Sequence, residues 1–233
     1  TADTELFYLA PPPREGDRDT RLRRLLQGFS RTGRPRRIVY VSTTGVYGDC
    51  GGAWVDESSR LDPAAPRHRR RLDAERALAQ WAAASGGEYV ILRVPGIYGP
   101  GRLPLERIRQ GKPVVRPEEA PYTNRIHVDD LVQACVAAME RGRPGEAYNV
   151  SDGHPSTMAD YFFHVADAAG LPRPPLIGMA EAAESLSAGM LSYQQESRRV
   201  GNRKLLDELG VALRYPTLEE GLRACPEASA IQG

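Results

Sequence analysis

Hydroxyl side chains stand at the end of an apolar, β-branched run in the first quarter of this 233-residue chain. The run "RRIVYVS" is typical of a strand buried on both faces of a parallel sheet, and it leads into Ser42, Thr43 and Thr44. Open α/β sheets bind ligands outside the carboxyl ends of their strands, so these hydroxyls are candidates for hydrogen bonds to a ligand. The alternative is a hydroxyl-rich turn that Gly45 and Gly48 terminate, and this segment alone favours neither interpretation.

A run of basic residues precedes a predicted helix in the segment "PRHRRRLDAE", residues 66–75. The amphipathic pattern predicts a helix from about Leu72 to Ser85, and the basic residues 67–70 stand where polar capping residues are usual. The run can be a solvated helix start, a nucleic-acid patch or the altered remains of a catalytic site. A nucleic-acid patch is the weakest of the three, because no aromatic side chains are interleaved and the net charge is only +1.

The composition limits the classes of protein to which the chain can belong. Its three cysteines, Cys50, Cys135 and Cys225, lack the spacing of a zinc site or a disulfide framework, which predicts a reducing compartment and no metal site. No apolar run is long enough to cross a membrane and no leader pattern opens the chain. We therefore expect a cytoplasmic protein that binds neither membrane nor nucleic acid.

Strand and helix patterns alternate along the first two-thirds of the chain, which predicts a parallel α/β sheet. Strand-like segments are "ELFYLA", "RRIVYVS", "EYVILRV" and "EAYNVS", and "TRLRRLLQGF" has helical spacing. Asp129 is predicted to be the N-cap of a further helix. The last third combines the extended segment "RPPLIG" with short helices after Asn202 and Thr217, a pattern that predicts a small C-terminal lobe.

Four segments in this order carry a resemblance to a known family. They are "YVSTTGVYGD" (40–49), "LRVPGIYGPG" (92–101), "NRIHVDDLVQA" (124–134) and "YNVSDG" (148–153). Together they resemble the extended short-chain dehydrogenase/reductase superfamily, in particular its NAD-dependent epimerase/dehydratase group. The resemblance implies a Rossmann-like parallel sheet with helices on both faces, a dinucleotide-binding domain over residues 1–155 and a substrate lobe over residues 156–225. It also implies NAD or NADP as cofactor and a small-molecule substrate.

The resemblance assigns roles residue by residue. The family's hydroxyl that hydrogen-bonds the reacting oxygen falls on Thr43, and the acid pair that follows it in sugar dehydratases is replaced by Thr44 and Gly45. The family's tyrosine and lysine fall on Arg67 and Arg71. Arg71 is expected to hold the nicotinamide ribose, whereas Arg67 cannot replace a phenol as a proton donor and acceptor, because a guanidinium stays protonated. Arg69 and Arg70 are expected to point elsewhere on the helix.

The resemblance implies three sets of site residues. The residues expected to take part in the chemistry are Thr43 and Tyr98. The residues expected to bind the cofactor are Ala10, Pro11, Pro12, Val41, Ser42, Thr43, Arg71, Val94, Pro95, Gly96 and Ile97. The residues expected to bind the substrate are Thr44, Tyr47, Arg67, Tyr122 and Arg125.

A further departure from the family pattern concerns the N-terminus. No glycine-rich phosphate loop occurs there, and "ELFYLAPPP" resembles the family's fourth strand. On the order of sixty residues normally precede such a strand in this type of sheet. We therefore expect the chain to be a fragment and its first strand to expose an apolar edge.

Two functions agree with these patterns. The first is an oxidoreductase or epimerase that acts on a small polar substrate, with a nucleotide sugar as one candidate. The second is a dinucleotide-binding sensor or scaffold without catalysis. The resemblance also implies a homodimer through a four-helix interface, built by helices at about Arg18 to Phe29 and Leu72 to Ser85, in which Leu22, Leu25, Leu26, Leu78 and Trp81 pack either between protomers or within one.

Overall fold

The computed structural model describes residues 4–229 of the chain. Its helices are α1 Thr20–Thr32, α2 Pro66–Ser85, α3 Leu105–Arg109, α4 Val128–Arg141, α5 Met158–Ala168, α6 Met179–Ser185, α7 Ala188–Tyr193, α8 Arg203–Asp207, α9 Leu218–Arg223 and α10 Pro226–Ser229, and a short 3-10 turn covers Thr44–Tyr47. Its strands are β1 Glu5–Tyr8, β2 Arg37–Thr43, β3 Trp54–Val55, β4 Glu88–Val94, β5 Gly96–Tyr98, β6 Val114–Val115, β7 Tyr122–Thr123, β8 Arg125–His127, β9 Ala147–Asn149, β10 Ser156–Thr157, β11 Leu176–Ile177 and β12 Arg199–Val200. None of these helices is long and apolar enough to cross a membrane.

Four parallel strands form the central sheet in the order β1-β2-β4-β9. Strands β2 and β4 pair along their whole length, and Thr43 lies opposite Val94. Because the two strands run in the same direction, their carboxyl ends lie side by side at one edge of the sheet. The predicted parallel α/β sheet is confirmed, and Thr43 stands at the edge where such sheets bind ligands.

Helices cover both faces of this sheet. Successive side chains of a strand point to opposite faces, so Ile38 and Tyr40 face α1 and α2, whereas Val39 faces α4. Ile38 and Tyr40 form one apolar cluster with residues of α1 and α2, which are Leu22, Leu25, Leu26, Phe29, Ala74, Ala77, Leu78, Trp81 and Ala82. The five residues named for a dimer interface thus pack within one protomer, and the dimer itself stays a prediction.

The C-terminal segment packs beside the carboxyl edge of the sheet. Its α5 shares an apolar cluster with Tyr98, Leu105 and Ile108, which come from earlier in the chain. Three two-stranded ladders also join it to earlier segments: β10 with β7, β11 with β6, and β12 with β3. The lobe therefore draws on segments ahead of residue 156 as well as on those after it.

Two helix starts differ from the sequence-based expectation. Helix α2 begins at Pro66 and not near Leu72, because proline is well suited to the first helical position, where its missing N–H needs no partner. The basic run is therefore the first turn of the helix. Helix α4 begins at Val128, and its N-cap is His127, whose Nδ1 accepts a hydrogen bond from the N–H of Asp129. The prediction that Asp129 caps this helix is wrong.

The first strand lies at one side of the sheet. Strand β1 pairs with β2 on one edge only, and no other described strand pairs with it. Phe7 and the nearby Leu9 are 42% and 60% exposed. The apolar edge expected from the sequence is thus present at β1.

A buried ion pair joins α2 to the centre of the sheet. Glu75 of α2 accepts hydrogen bonds from Arg93 of β4, with 3.0 Å between Arg93 Nη2 and Glu75 Oε2, and from the hydroxyl of Ser42. Arg93 also donates to the Tyr47 hydroxyl, which donates to Asn149 Oδ1 of β9. Burial alone would lower the pKa of Arg93, but the adjacent Glu75 and Tyr47 raise it. The guanidinium is therefore held in its charged form within the core.

We expect Glu75→Gln to lower the free energy of unfolding by about 3–5 kcal/mol, because it leaves the buried charge of Arg93 without its counter-ion. Urea denaturation followed by circular dichroism measures the change. The control is Glu219→Gln, which removes an exposed ion pair with Arg223 on α9 and should change the free energy of unfolding by no more than about 0.5 kcal/mol. Similar, small effects of both substitutions would contradict the role given to Glu75.

Candidate functional site

A cavity of about 670 Å³ lies at the carboxyl ends of β2 and β4, between the sheet and the C-terminal segment. It is lined by Pro11, Pro12, Pro13, Arg14, Thr43, Thr44, Gly45, Arg67, His68, Arg70, Arg71, Pro95, Gly96, Ile97, Tyr98, Arg102, Pro104, Tyr122, Thr123, Asn124, Arg125, Met158, Tyr161, Phe162, Met190, Tyr193, Glu196 and Arg198. The lining combines aromatic and proline faces with several arginines, and Glu196 is the one carboxylate among these described residues. Its size and composition are those of a small-molecule site.

Thr43 is fixed at the end of β2 by a hydrogen bond within the following turn. Its Oγ1 accepts a hydrogen bond from the N–H of Gly45 at 3.2 Å. Among the described residues, none accepts a hydrogen bond from its O–H. Thr43 can therefore donate this proton to a ligand oxygen in the cavity.

Arginines of the first turns of α2 reach in different directions from the cavity wall. Arg71 donates through Nη1 to the hydroxyl of Tyr40 and to the carbonyl of Val41, at 3.2 and 3.1 Å. Arg67 donates through Nη1 to Ser192 Oγ at 2.9 Å, and its guanidinium lies 4.9 Å from the centre of the Tyr193 ring. Arg71 thus belongs to the sheet side of the cavity and Arg67 to the side of the C-terminal segment.

Arg70 differs from its expected position. Helical spacing predicts that Arg70 points away from the site, but it is buried, lines the cavity and donates to the carbonyl of Gly16 at 2.6 Å. The expectation is wrong because the loop before α1 folds over this turn of α2 and closes the cavity on that side.

A chain of polar side chains crosses the cavity wall from α2 to the segment before β12. Arg67 Nε donates to Nε2 of His68 at 3.0 Å, and His68 Nδ1 lies 3.2 Å from Glu196 Oε1. Because Nε2 accepts a hydrogen bond, the proton of the neutral ring is on Nδ1 and is donated to Glu196. Arg198 donates to the other oxygen of Glu196 at 2.8 Å. Burial would raise the pKa of Glu196, but His68, Arg198 and Arg67 together hold it below its usual value.

The two tyrosines of the strand-end loops, Tyr47 and Tyr98, both have hydroxyl partners within the fold. Tyr47 does not line the cavity; its buried hydroxyl contacts Asn149 and Arg93, and burial raises its pKa to about 12. Tyr98 contributes to the lining, but its hydroxyl donates to the carbonyl of Thr217 at 3.4 Å, and burial raises its pKa well above the usual range. The prediction of Tyr47 as a substrate ligand is wrong, because its side chain lies outside the cavity lining. The role of Tyr98 in the chemistry stays a prediction.

The structure brings together most of the other predicted site residues. Those that line the cavity are Pro11, Pro12, Thr43, Thr44, Arg67, Arg71, Pro95, Gly96, Ile97, Tyr122 and Arg125. Those that do not line it are Ala10, Val41, Ser42 and Val94. Ser42 is buried against Glu75, and its assignment to the cofactor is corrected for that reason.

Several lining residues do not emerge from sequence reasoning. His68 lacks ligand spacing in the sequence, and Glu196, Arg198, Met158, Tyr161 and Tyr193 come from segments whose patterns are weak. His68 and Glu196 are 128 residues apart in the chain. Only the position of His68 inside the basic run could have drawn attention to it. Within the described residues, no group of His, Cys, Asp and Glu is arranged to hold a metal ion.

The cavity can be tested for its fit to a nicotinamide dinucleotide. Thr43, Arg71 and the loop Pro95–Ile97 offer a hydroxyl donor, a guanidinium and a backbone edge beside one another, which suits a nicotinamide and its ribose. Gly45, Gly48 and Gly51 have the spacing of a phosphate loop, but Gly45 lies within the 3-10 turn, and the short β3 follows the glycines instead of a helix. A Cβ on Gly48 would overlap the carbonyl oxygen of Asp62, so packing requires this glycine. The described residues thus fit the nicotinamide end, and the loop from Gly45 to Gly51 offers no cradle for the pyrophosphate.

Comparison with known proteins gives one family. The profile of the NAD dependent epimerase/dehydratase family matches residues 18–151. The chain is 29% identical over 195 residues to a 3-diazoavenalumate denitrifying reductase from Streptomyces sp, covering 80% of this chain and 64% of that protein. It spans about three-fifths of the length of this reductase and of the protein YeeZ from Escherichia coli, to which it is 28% identical over 182 residues.

Solved structures share the fold. A conserved protein of unknown function from Silicibacter pomeroyi is 36% identical, with a TM-score of 0.83 over 96% of this chain and 77% of that one. The UDP-glucuronic acid 4-epimerase from Bacillus cereus, solved in complex with NAD, has a TM-score of 0.76 at 18% identity and covers 98% of this chain and 75% of that one. The second likeness concerns the fold alone.

We expect Gly45→Ala to lower the free energy of unfolding by about 1–3 kcal/mol, the usual cost of overpacking. A Cβ at this position would overlap the His68 ring, and Arg67 and Glu196 hold that ring on both nitrogens. In a His68→Ala background, Gly45→Ala should cost little, since the obstacle is gone. Urea denaturation of the four proteins of this double-mutant cycle measures the coupling.

Gly28→Ala is the control for the effect of replacing glycine by alanine where no side chain obstructs the new methyl group. Gly28 is exposed in α1, and a methyl group added there would meet no other atom within 4 Å. Alanine should therefore stabilise the protein by about 0.5–1 kcal/mol. Equal losses from Gly45→Ala with and without His68 would contradict the contact.

Proposed function

The chain belongs to the NAD-dependent epimerase/dehydratase family, and from this we propose that it is an NAD(P)-binding oxidoreductase with an altered active site that acts on a small polar substrate. The observation that carries the proposal is the cavity at the carboxyl ends of β2 and β4, where Thr43 and Arg71 lie on the same wall. The name of the Streptomyces relative, a reductase, agrees with this reaction class. A nucleotide sugar is one candidate substrate, because the Bacillus cereus structure of the same fold is a UDP-glucuronic acid epimerase.

The residues of the cavity would have separate roles in binding and reaction. Arg71 would hold the ribose beside the nicotinamide through the donors that Tyr40 and Val41 leave unused. Thr43 would donate a hydrogen bond to the oxygen that gains or loses a proton. When bound, the nicotinamide supplies a site that accepts or donates a hydride. The loop Pro95–Ile97 and the prolines 11–13 would exclude water from one side of the reacting atoms.

Proton transfer needs a group other than the family's tyrosine, and we assign it to His68. It is the one imidazole among the cavity-lining residues that the structure describes, and Glu196 orients it through Nδ1. A histidine held by a carboxylate can accept a proton on Nε2. In this structure Arg67 donates to that nitrogen, so Arg67 must move before His68 can take a proton from a substrate.

The same contact favours the second candidate, a dinucleotide-binding sensor or scaffold. With Arg67 on Nε2 of His68, the one imidazole of the described cavity lining is not free to accept a proton. The two functions are separated by calorimetric titration of NAD and NADP together with nicotinamide absorbance across a panel of carbonyl and alcohol substrates. An enzyme binds and consumes the cofactor, a sensor binds it without turnover, and a protein that binds neither dinucleotide contradicts both proposals.

We expect Arg71→Ala to weaken NAD or NADP binding about tenfold to a hundredfold, the loss of a charge-assisted hydrogen bond of about 1.5–3 kcal/mol. Isothermal titration calorimetry on the intact gene product measures the dissociation constant. The control is Arg76→Ala, which removes an exposed arginine from the same helix and should leave binding unchanged. Arg70 is unsuitable as a control because it lines the cavity. Equal, small losses for Arg71→Ala and Arg76→Ala would show that the basic run has no role in binding the cofactor.

We expect Thr43→Val to preserve the fold and to lower kcat/KM by about a hundredfold, as the loss of one hydrogen-bond donor to a reacting oxygen usually does. Thermal unfolding by circular dichroism checks the fold, and the nicotinamide absorbance assay gives the rate. Thr43→Ser keeps the hydroxyl and should retain most of the activity. Unchanged turnover in Thr43→Val would remove Thr43 from the reaction.

A further inference from the structure

Arg125 is a buried arginine that forms no ion pair among the described residues. Its side chain belongs to β8, lines the cavity and is 7% exposed as a residue. Two other buried arginines, Arg37 and Arg93, form ion pairs with Glu88 and Glu75. No carboxylate among residues 4–229 forms an ion pair with Arg125.

The hydrogen bonds of Arg125 leave much of its guanidinium unsatisfied. Nη1 donates to Thr123 Oγ1 at 3.0 Å and lies 3.4 Å from the carbonyl oxygen of Asn124. Nη2 contacts only the sulfur of Met158 at 3.8 Å, a weak acceptor. Nε is buried and has no partner among the described residues.

The surroundings of Arg125 are apolar as well as short of acceptors. The Tyr161 ring centre lies 4.0 Å from the guanidinium carbon, and Met158 packs along the same side. Burial lowers the pKa of Arg125, and the more distant charges of Asp152 and Asp160 do not offset this. A buried charge without a counter-ion is strongly unfavourable, and neutral partners supply only part of the missing interaction.

The position of Arg125 shows where a counter-ion would lie. In the β5–β8 ladder Arg125 is opposite Gly96, and a Cβ on Gly96 would be 3.9 Å from Arg125 Nη1. Gly96 follows two residues after Val94, which is paired with Thr43. Arg125, Gly96 and Thr43 all line the cavity, so an anion bound by Arg125 would lie at the edge of the sheet that ends in Thr43.

A second buried arginine supports the same conclusion. Arg70 also lacks an ion pair among the described residues, and its Nε has no partner there. Arg70 and Arg125 come from α2 and β8, and both line the cavity. The two buried arginines without an ion pair among the described residues thus line the same cavity. Glu196, the single carboxylate of the described lining, already forms an ion pair with Arg198.

We propose that this cavity binds its substrate through a compact oxyanion, a carboxylate or a phosphate, which Arg125 holds beside Gly96. The inference rests on the proposed function in taking the cavity as the substrate site, and it adds the chemical class of the substrate. A guanidinium matches an oxyanion through two parallel N–H donors, and in Arg125 the pair without an oxygen acceptor among the described residues is Nε with Nη2. Stacking on Tyr161 fixes the plane of this pair.

The test compares wild type with Arg125→Met, in which an apolar side chain of similar length replaces the charge. Thermal unfolding is measured in sodium chloride, sodium acetate, sodium malonate and sodium phosphate at equal ionic strength, and dissociation constants are taken from the dependence of Tm on concentration. Wild type should be stabilised by at least one of the oxyanions relative to chloride. Arg125→Met should bind that oxyanion about tenfold to a hundredfold more weakly, and in chloride its Tm should equal or exceed that of wild type, because an unpaired buried charge has been removed.

Two further variants control the comparison. Arg76→Met removes an exposed arginine of α2 and should keep the full response to the oxyanion. Arg125→Lys keeps one charge without the planar pair of donors and should bind the oxyanion more weakly than wild type; it replaces Arg125→Met in the comparison if the methionine variant does not fold. A preference for carboxylates or for phosphate in wild type identifies the class of the substrate group.

Three results would overturn the proposal. In the first, no oxyanion raises the wild-type Tm above its value in chloride. In the second, Arg125→Met and Arg125→Lys both keep the wild-type response to the oxyanion. In the third, Arg76→Met loses as much of this response as Arg125→Met does. Titration of NAD and NADP into the same proteins keeps this test apart from that of the proposed function. If neither dinucleotide binds but an oxyanion still raises Tm in an Arg125-dependent way, the proposed cofactor is contradicted and the proposed anion site is supported.

Discussion

The ion pair between Glu75 and Arg93 fixes the geometry on which the candidate site depends. Glu75 is bound by a side chain from each of the two central strands, Ser42 of β2 and Arg93 of β4. A charged pair that is buried on both sides tolerates little displacement, since every shift leaves a charge without its partner. Helix α2 is therefore held in one register against the sheet. One turn before Glu75, this register brings Arg71 to the carbonyl of Val41, two residues before Thr43.

The buried arginines of the core are paired with carboxylates, whereas two buried arginines of the cavity wall are not. In the core each buried arginine has a carboxylate, as Arg93 and Arg37 do. In the cavity wall Arg125 and Arg70 are buried with neutral partners only, within the part of the chain that the structure describes, and the carboxylate of Glu196 is shared between His68 and Arg198. The unpaired arginines of the cavity wall lower the stability of a fold whose core arginines are paired. Such a local loss of stability is common where residues are arranged to bind a ligand. The positive excess of the cavity is thus a local property in a chain whose formal charge is +1.

The sequence predicted the features that depend on local pattern. The apolar runs of β2 and β4 identified the two central strands, and the hydroxyls after the first run identified the ligand edge, because both follow from the periodicity of a buried parallel strand. The roles of the tyrosines could not be predicted in this way. Tyr47 and Tyr98 occupy the expected loops, but their hydroxyls meet Asn149 and Thr217, which are 102 and 119 residues away in the chain. Whether a phenol is free for chemistry depends on such tertiary partners, and no local pattern contains them.

The arginines of the basic run that begins α2 contact different parts of the fold. Successive residues of a helix are rotated by about 100° around its axis, so consecutive arginines face different neighbours. Arg67 reaches Ser192 of α7, Arg69 contacts Asp17, Arg70 meets the carbonyl of Gly16, and Arg71 meets β2. A nucleic-acid patch needs its charges on one exposed face, and this run instead ties one helix end to three parts of the fold. Residues 67, 68, 70 and 71 nevertheless line the cavity, so the same contacts that hold the helix end also set the positions of these side chains in the cavity wall.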